Sequence, residues 1–130
     1  MILSDDDIMV LSYIVDNPKC SITDIIKATY NTENTEVFKR MDNRLRNRLK
    51  EMVEDRLIFK LNGYNPARYQ ANPEQVFKGH GGLACVDLDD RVRSLDLDDY
   101  IVVAGPENRI VIRPLKYDNW ENADENGEDR

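Results

Sequence analysis

Residues 35–71 read TEVFKRMDNRLRNRLKEMVEDRLIFKLNGYNPARYQA, and the fold turns on this stretch. Val37, Phe38, Met41, Leu45, Leu49, Met52 and Val53 recur at helical spacing, which predicts a helix over 36–55 opened by Thr35. On a helical wheel they share one face centred near Leu45, while Lys39, Arg40, Asn43, Asn47 and Lys50 fall opposite. Arg44, Arg46 and Arg48 sit nearer the flanks. Between residues 39 and 50 there are six Lys or Arg and a single acid, Asp42. A hairpin over 57–71 comes next. Leu57-Ile58-Phe59-Lys60-Leu61 is β-prone, Asn62-Gly63 is a turn because both residues tolerate positive φ, and Ala67–Ala71 reads as the return strand. Asn72-Pro73 ends it.

Two shorter helices precede this stretch. Ser4 followed by Asp5, Asp6 and Asp7 is a helix start, since the hydroxyl caps free N–H groups and carboxylates suit the positive end of the helix dipole. Ile8, Leu11, Ile14 and Val15 continue at helical spacing to Asn17-Pro18, where the residue before proline leaves the helical region. This gives a first helix over about 5–16. Ser21-Ile22-Thr23-Asp24 is a second start, a capping box with Asp for Glu, and Ile22, Ile25, Ile26 and Tyr30 form its stripe over about 22–29. Asn31-Thr32-Glu33-Asn34 is turn-like.

The net charge of −7 hides a division. Residues 1–18 hold four Asp and no base, residues 19–80 hold twelve Lys or Arg against eight acids, and residues 81–130 hold six against thirteen. The middle of the chain is a basic island, and a polyanion responds to the local field, screened over roughly 8–10 Å, rather than to the total.

Helix, short helix, turn, long helix and hairpin, in that order, resemble the winged helix-turn-helix family of transcriptional regulators, archaeal and bacterial repressor-like members in particular. The resemblance covers about residues 4–78. It rests on Ser21-Ile22-Thr23-Asp24-Ile25-Ile26 and on the run from Arg44 to Ile58 that leads into the hairpin. Family members commonly carry Gly before the Leu-Ile that opens the wing, where this chain has Arg56. The resemblance implies an α+β fold with a helix in the DNA major groove and the hairpin as a wing. The residue types agree. Thr35, Lys39, Arg40, Asn43, Arg44 and Asn47 are placed to meet base edges, Arg pairing with guanine and Asn with adenine in two-pronged fashion. Arg46, Arg48 and Lys50 suit phosphates, which position without reading sequence. Lys60, Asn62, Tyr64 and Arg68 suit the backbone or minor groove, although Tyr64 and Tyr69 also fit plain hairpin packing.

Beyond Lys78 the character changes. Gly79-His80-Gly81-Gly82 reads as a flexible joint. Leu83–Leu88, Tyr100–Ala104 and Arg109–Arg113 read as strands of a small β-rich extension over 79–117. Gly105-Pro106-Glu107-Asn108 links the last two strands, and residues 118–130 form an acidic tail expected to be disordered. Asp87–Asp90 and Asp96–Asp99 repeat Asp-Leu-Asp-Asp. Their spacing lacks the alternate acids and central Gly of a calcium loop, so solvated acids at strand ends and helix caps are expected, with no metal site.

One His and two Cys leave too few ligands for a Cys/His zinc site. Cys20 and Cys85 are either free thiols in a reducing cytoplasm or a disulfide. No nucleophile–base pair or phosphate loop stands out, so no catalytic residue and no cofactor is expected. With neither an apolar run long enough to span a membrane nor an export signal, a cytoplasmic protein is expected. The expected partners are double-stranded DNA and a second copy of the chain. The rival reading is a winged-helix protein–protein module that works through its acidic C-terminal half.

Overall fold

The computed structural model describes residues 1–30, 34–79, 81–86, 94–105 and 109–115. In chain order these form β1 (Ile2–Ser4), α1 (Asp5–Asp16), β2 (Cys20–Ser21), α2 (Ile22–Thr29), α3 (Thr35–Glu54), β3 (Ile58–Leu61), β4 (Arg68–Ala71), β5 (Val76–Gly79), β6 (Gly82–Val86), β7 (Ser94–Asp96), β8 (Tyr100–Ala104) and β9 (Arg109–Pro114). The architecture is mixed α and β, with three helices among the described residues. Positions 31–33, His80, Asp87–Asp90, 106–108 and the acidic tail lie outside them.

Side chains fix the helix starts. Ser4 and Asp7 form a reciprocal box, the Ser4 N–H donating to Asp7 Oδ2 at 2.9 Å and the Asp7 N–H to Ser4 Oγ at 3.5 Å. Ser21 and Asp24 do the same at 3.0 and 3.2 Å. Those bonds, with the Ser21 backbone N–H foremost, hold the Asp24 carboxyl below its usual range. The cap of α3 is Asn34, whose Oδ1 accepts from the N–H groups of Glu36 and Val37 at 3.0 and 3.1 Å. Thr35 is therefore the first helical residue.

The end of α3 explains the corner into the hairpin. The Leu57 N–H donates to the Met52 carbonyl at 2.9 Å and the Arg56 N–H to the Val53 carbonyl at 3.0 Å, a Schellman closure. It requires Arg56 in the left-handed region, at φ 65°. The position where the family resemblance leads one to look for Gly thus has a glycine-like conformation occupied by arginine. Buried Asn72 braces it, donating from Nδ2 to the Arg56 carbonyl at 2.9 Å. Arg56→Gly is expected to raise stability by about 0.5–1 kcal/mol, read from the urea midpoint at unchanged slope.

β2, β4 and β3 form a three-stranded antiparallel sheet in that order, so the strand between α1 and α2 ties the hairpin back to the helices. The expected joint at 79–82 is instead a tight hairpin, with Gly79 paired to Gly82 across β5 and β6 and Gly81 at φ 87°. Gly82 has a second constraint. A Cβ there would lie 2.2 Å from the Ile112 carbonyl oxygen of β9, so only glycine lets the two strands meet.

These strands belong to a second antiparallel sheet, ordered β5-β6-β9-β8. β1 pairs in parallel with β7, Ile2 opposite Ser94, and the Asp5 carboxylate accepts from the N–H groups of Asp98 and Asp99 at 3.0 and 3.1 Å. That part of the second acidic repeat therefore docks on the start of α1. One buried cluster joins Ile8, Leu11 and Ile14 of α1, Ile25 and Ile26 of α2, Leu45, Leu49 and Met52 of α3, and Val76, Leu83, Cys85 and Ile112 of the four-stranded sheet. The extension shares its core with the helices.

Candidate nucleic-acid interface

Burial of Leu45, Leu49 and Met52 fixes the rotation of α3 and turns its other side outward. Lys39, Arg40, Asn43, Asn47 and Lys50 are all exposed on that side, with Thr35 exposed in the first turn. Among the described residues, the ion pairs of α3 use only Arg46 and Arg48 as cations. Glu36 lies before the basic strip and Glu51 and Glu54 after it, so the positive charge is confined to residues 39–50.

The three flanking arginines have separate fates. Arg48, expected at a phosphate, is turned inward. Its guanidinium binds both carboxylate oxygens of Asp7, Glu51 Oε2 at 2.6 Å and the Ile2 carbonyl at 3.0 Å. The bond to Asp7 outweighs desolvation and raises its already high pKa. It is a structural clamp between α3 and the start of α1. Arg44, expected at a base edge, lines a cleft of about 300 Å³ with Asp6, Asp7 and Tyr30. Arg46 lies on the opposite flank, with Nε bonded to Asp42 Oδ1 at 2.5 Å.

The structure adds a cleft that residue spacing within α3 does not reveal. Arg46 and Lys50 of α3 and Lys60 of β3 line a space of about 420 Å³ with Val53, Glu54 and Tyr69. Lys60 faces it because it pairs with Tyr69 across the hairpin and shares a strand face with buried Ile58. The alternation of β3 contains that signal once the inward residue is known. At the hairpin tip Asn62, Gly63 and Tyr64 are exposed, and Gly63 takes φ 87°. Arg68 lies over the Tyr64 ring, 5.5 Å from its centroid, and donates to the Lys19 carbonyl at 2.8 Å. It stiffens the base of the hairpin.

Comparison with protein-family models, with curated proteins and with solved structures finds no match. The residues of the site nevertheless define a chemistry. A cluster of Lys and Arg with interleaved Asn on a rigid helix, beside a hairpin bearing Lys60 and Asn62, can hold a polyanion and present two-pronged hydrogen-bonding groups to it.

The two thiols offer no nucleophile at neutral pH. Both are free and buried, and burial pushes Cys20 up to about 11 and Cys85 up to about 12. An unfolded thiol titrates near 9.0, so above that pH the unfolded chain loses protons that the native chain keeps. The thiol contribution to stability is whole below pH 9.0 and is lost as pH rises through 11 to 12. The expected slope is about 1.4 kcal/mol per pH unit per thiol. Urea unfolding between pH 8 and 11 measures it, and Cys85→Ala should flatten the curve.

Among the described residues, no group of His, Cys, Asp or Glu is arranged to hold a metal ion, and no helix is long and apolar enough to cross a membrane.

Proposed function

We propose that residues 1–78 are a winged helix-turn-helix domain that binds double-stranded DNA with sequence preference, and that the protein regulates transcription. α3 enters the major groove and the β3–β4 hairpin is the wing. The observation that carries this reading is the outward face of α3, where Lys39, Arg40, Asn43, Asn47 and Lys50 are exposed together with the apolar stripe buried behind them. A groove about 12 Å wide admits one helix, and that face supplies both reading and positioning groups. Arg40 reads guanine, and Asn43 and Asn47 read adenine, in the outermost row. Lys50, Arg46 and Lys60 line a cleft of the right charge for a backbone phosphate. Arg48 and Arg68 serve the fold, and Arg44 lines a cleft with Asp6 and Asp7 of α1.

Selection of bound duplexes from a random pool, repeated at two salt concentrations, tests this. A convergent sequence, with affinity falling steeply as salt rises, is the expected result. A folded sample that retains no duplex at low salt would sink it.

A further inference from the structure

We propose that β8 is the dimerisation edge of this protein and that its partner is β8 of a second copy, aligned antiparallel about a two-fold axis through Val102. This does not depend on the DNA reading. β8 ends the four-stranded sheet and, among the described residues, pairs only with β9. Its residues Tyr100, Ile101, Val102, Val103 and Ala104 include no charge and no proline, the devices that normally protect an open edge. The opposite edge differs. β5 packs on α1 and carries Lys78, whose ammonium pairs with Asp16 at 3.3 Å.

The hydrogen-bond phase of β8 selects the register. The Gly105 N–H donates to the Arg109 carbonyl at 2.8 Å, and the Leu115 N–H donates to the Asp99 carbonyl at 2.9 Å. Antiparallel bonding alternates along a strand, so the odd-numbered residues of β8 bond inward to β9. The N–H and C=O groups of Tyr100, Val102 and Ala104 therefore point to the open edge. A two-fold axis at Val102 sets Val102 against itself and Tyr100 against Ala104 of the other copy, and each of these outward groups then has a partner.

Charge favours the same choice. Asp98 and Asp99 immediately precede β8. Parallel pairing would bring the acids of both copies together, whereas antiparallel pairing sets them at opposite ends, each beside the uncharged Ala104–Gly105 end of the other strand. Val102, 44% exposed, lies at the rim of the sheet face that carries its in-register neighbours Ile112 and Leu83, both buried. Two copies of Val102, each exposed in the single chain, meet there and lose water together.

Sedimentation velocity of the full chain, from micromolar to submillimolar concentration, is the first measurement, and a monomer–dimer equilibrium is expected. Val102→Lys places like charges directly opposite and should weaken the dimer at least about tenfold, with unchanged circular dichroism. Val102→Cys brings two Cα atoms to about 5.5 Å across a hydrogen-bonded pair, within disulfide range. Mild oxidation should therefore crosslink it far faster than Phe59→Cys, an equally exposed control at 45%. The buried native thiols do not compete. A wild-type chain that stays monomeric throughout, a dimer indifferent to Val102→Lys, or a Val102→Cys crosslink no faster than the Phe59→Cys control would each overturn the proposal.

Discussion

Replacing Lys39, Arg40 and Lys50 together by glutamate is expected to abolish duplex binding while the protein stays folded. All three side chains are exposed on the outer side of α3, and none takes part in an ion pair among the described residues. A base-reading or phosphate-binding side chain on such a helix contributes about 1–3 kcal/mol, so the triple change removes about 3–9 kcal/mol of binding, a hundredfold to a millionfold loss. Reversal also turns the steering field against the polyanion. Exposed substitutions of this kind alter stability by about 0.5 kcal/mol or less each. Fluorescence anisotropy with a selected duplex, beside a urea melt, separates the two effects. Within the set, Arg40→Lys keeps the charge but loses the two-pronged fork, so it should relax sequence preference more than it weakens binding to random DNA.

The largest expected effect on stability comes from Asp7→Ala. Asp7 is 2% exposed, closes the capping box with Ser4 and accepts the guanidinium of Arg48. Its removal leaves the half-buried Arg48 guanidinium with Glu51 and the Ile2 carbonyl alone, opens the first turn of α1 and loosens the seam that joins α1 to α3. A loss of about 2–4 kcal/mol is expected, tempered by the one-third exposure of the Arg48 side chain. Because part of that loss is the cost of the weakened ion pair, Asp7→Ala combined with Arg48→Met should recover that part and leave the cost of the lost cap. Urea unfolding of the two single variants and the double variant measures the coupling. If α3 is the DNA-reading element, Asp7→Ala also weakens binding where the protein is only partly folded.

Local chemistry was legible in the chain wherever a side chain acts on its own neighbourhood. Ser4 with Asp7, Ser21 with Asp24 and the Asn62-Gly63 turn are short-range devices, and the helices and hairpin they bound fall within a residue or two of expectation. Partners far along the chain were not legible. Arg46 and Arg48 both fall on flanks of the helical wheel, yet Arg48 is claimed by Asp7, 41 residues away, and only the fold brings them together. The Gly-rich run at 79–82 has the composition of both a flexible joint and a tight turn. The pairing of Gly79 with Gly82 across β5 and β6 decides for the turn. Nothing in Ile2–Ser4 announces a strand, because its partner is Ser94–Asp96. Arg56 shows the opposite case, in which the expected glycine marked a real backbone demand that this chain meets with arginine at φ 65°.

The placement of α3 against DNA is tested most directly by titrating isotope-labelled protein with a selected duplex and following every backbone amide by NMR. The expected result is a perturbed set concentrated at residues 35–50 and 60–64, with the four-stranded sheet undisturbed. Shifts confined to residues 94–105, or none at saturating duplex and low salt, would contradict it.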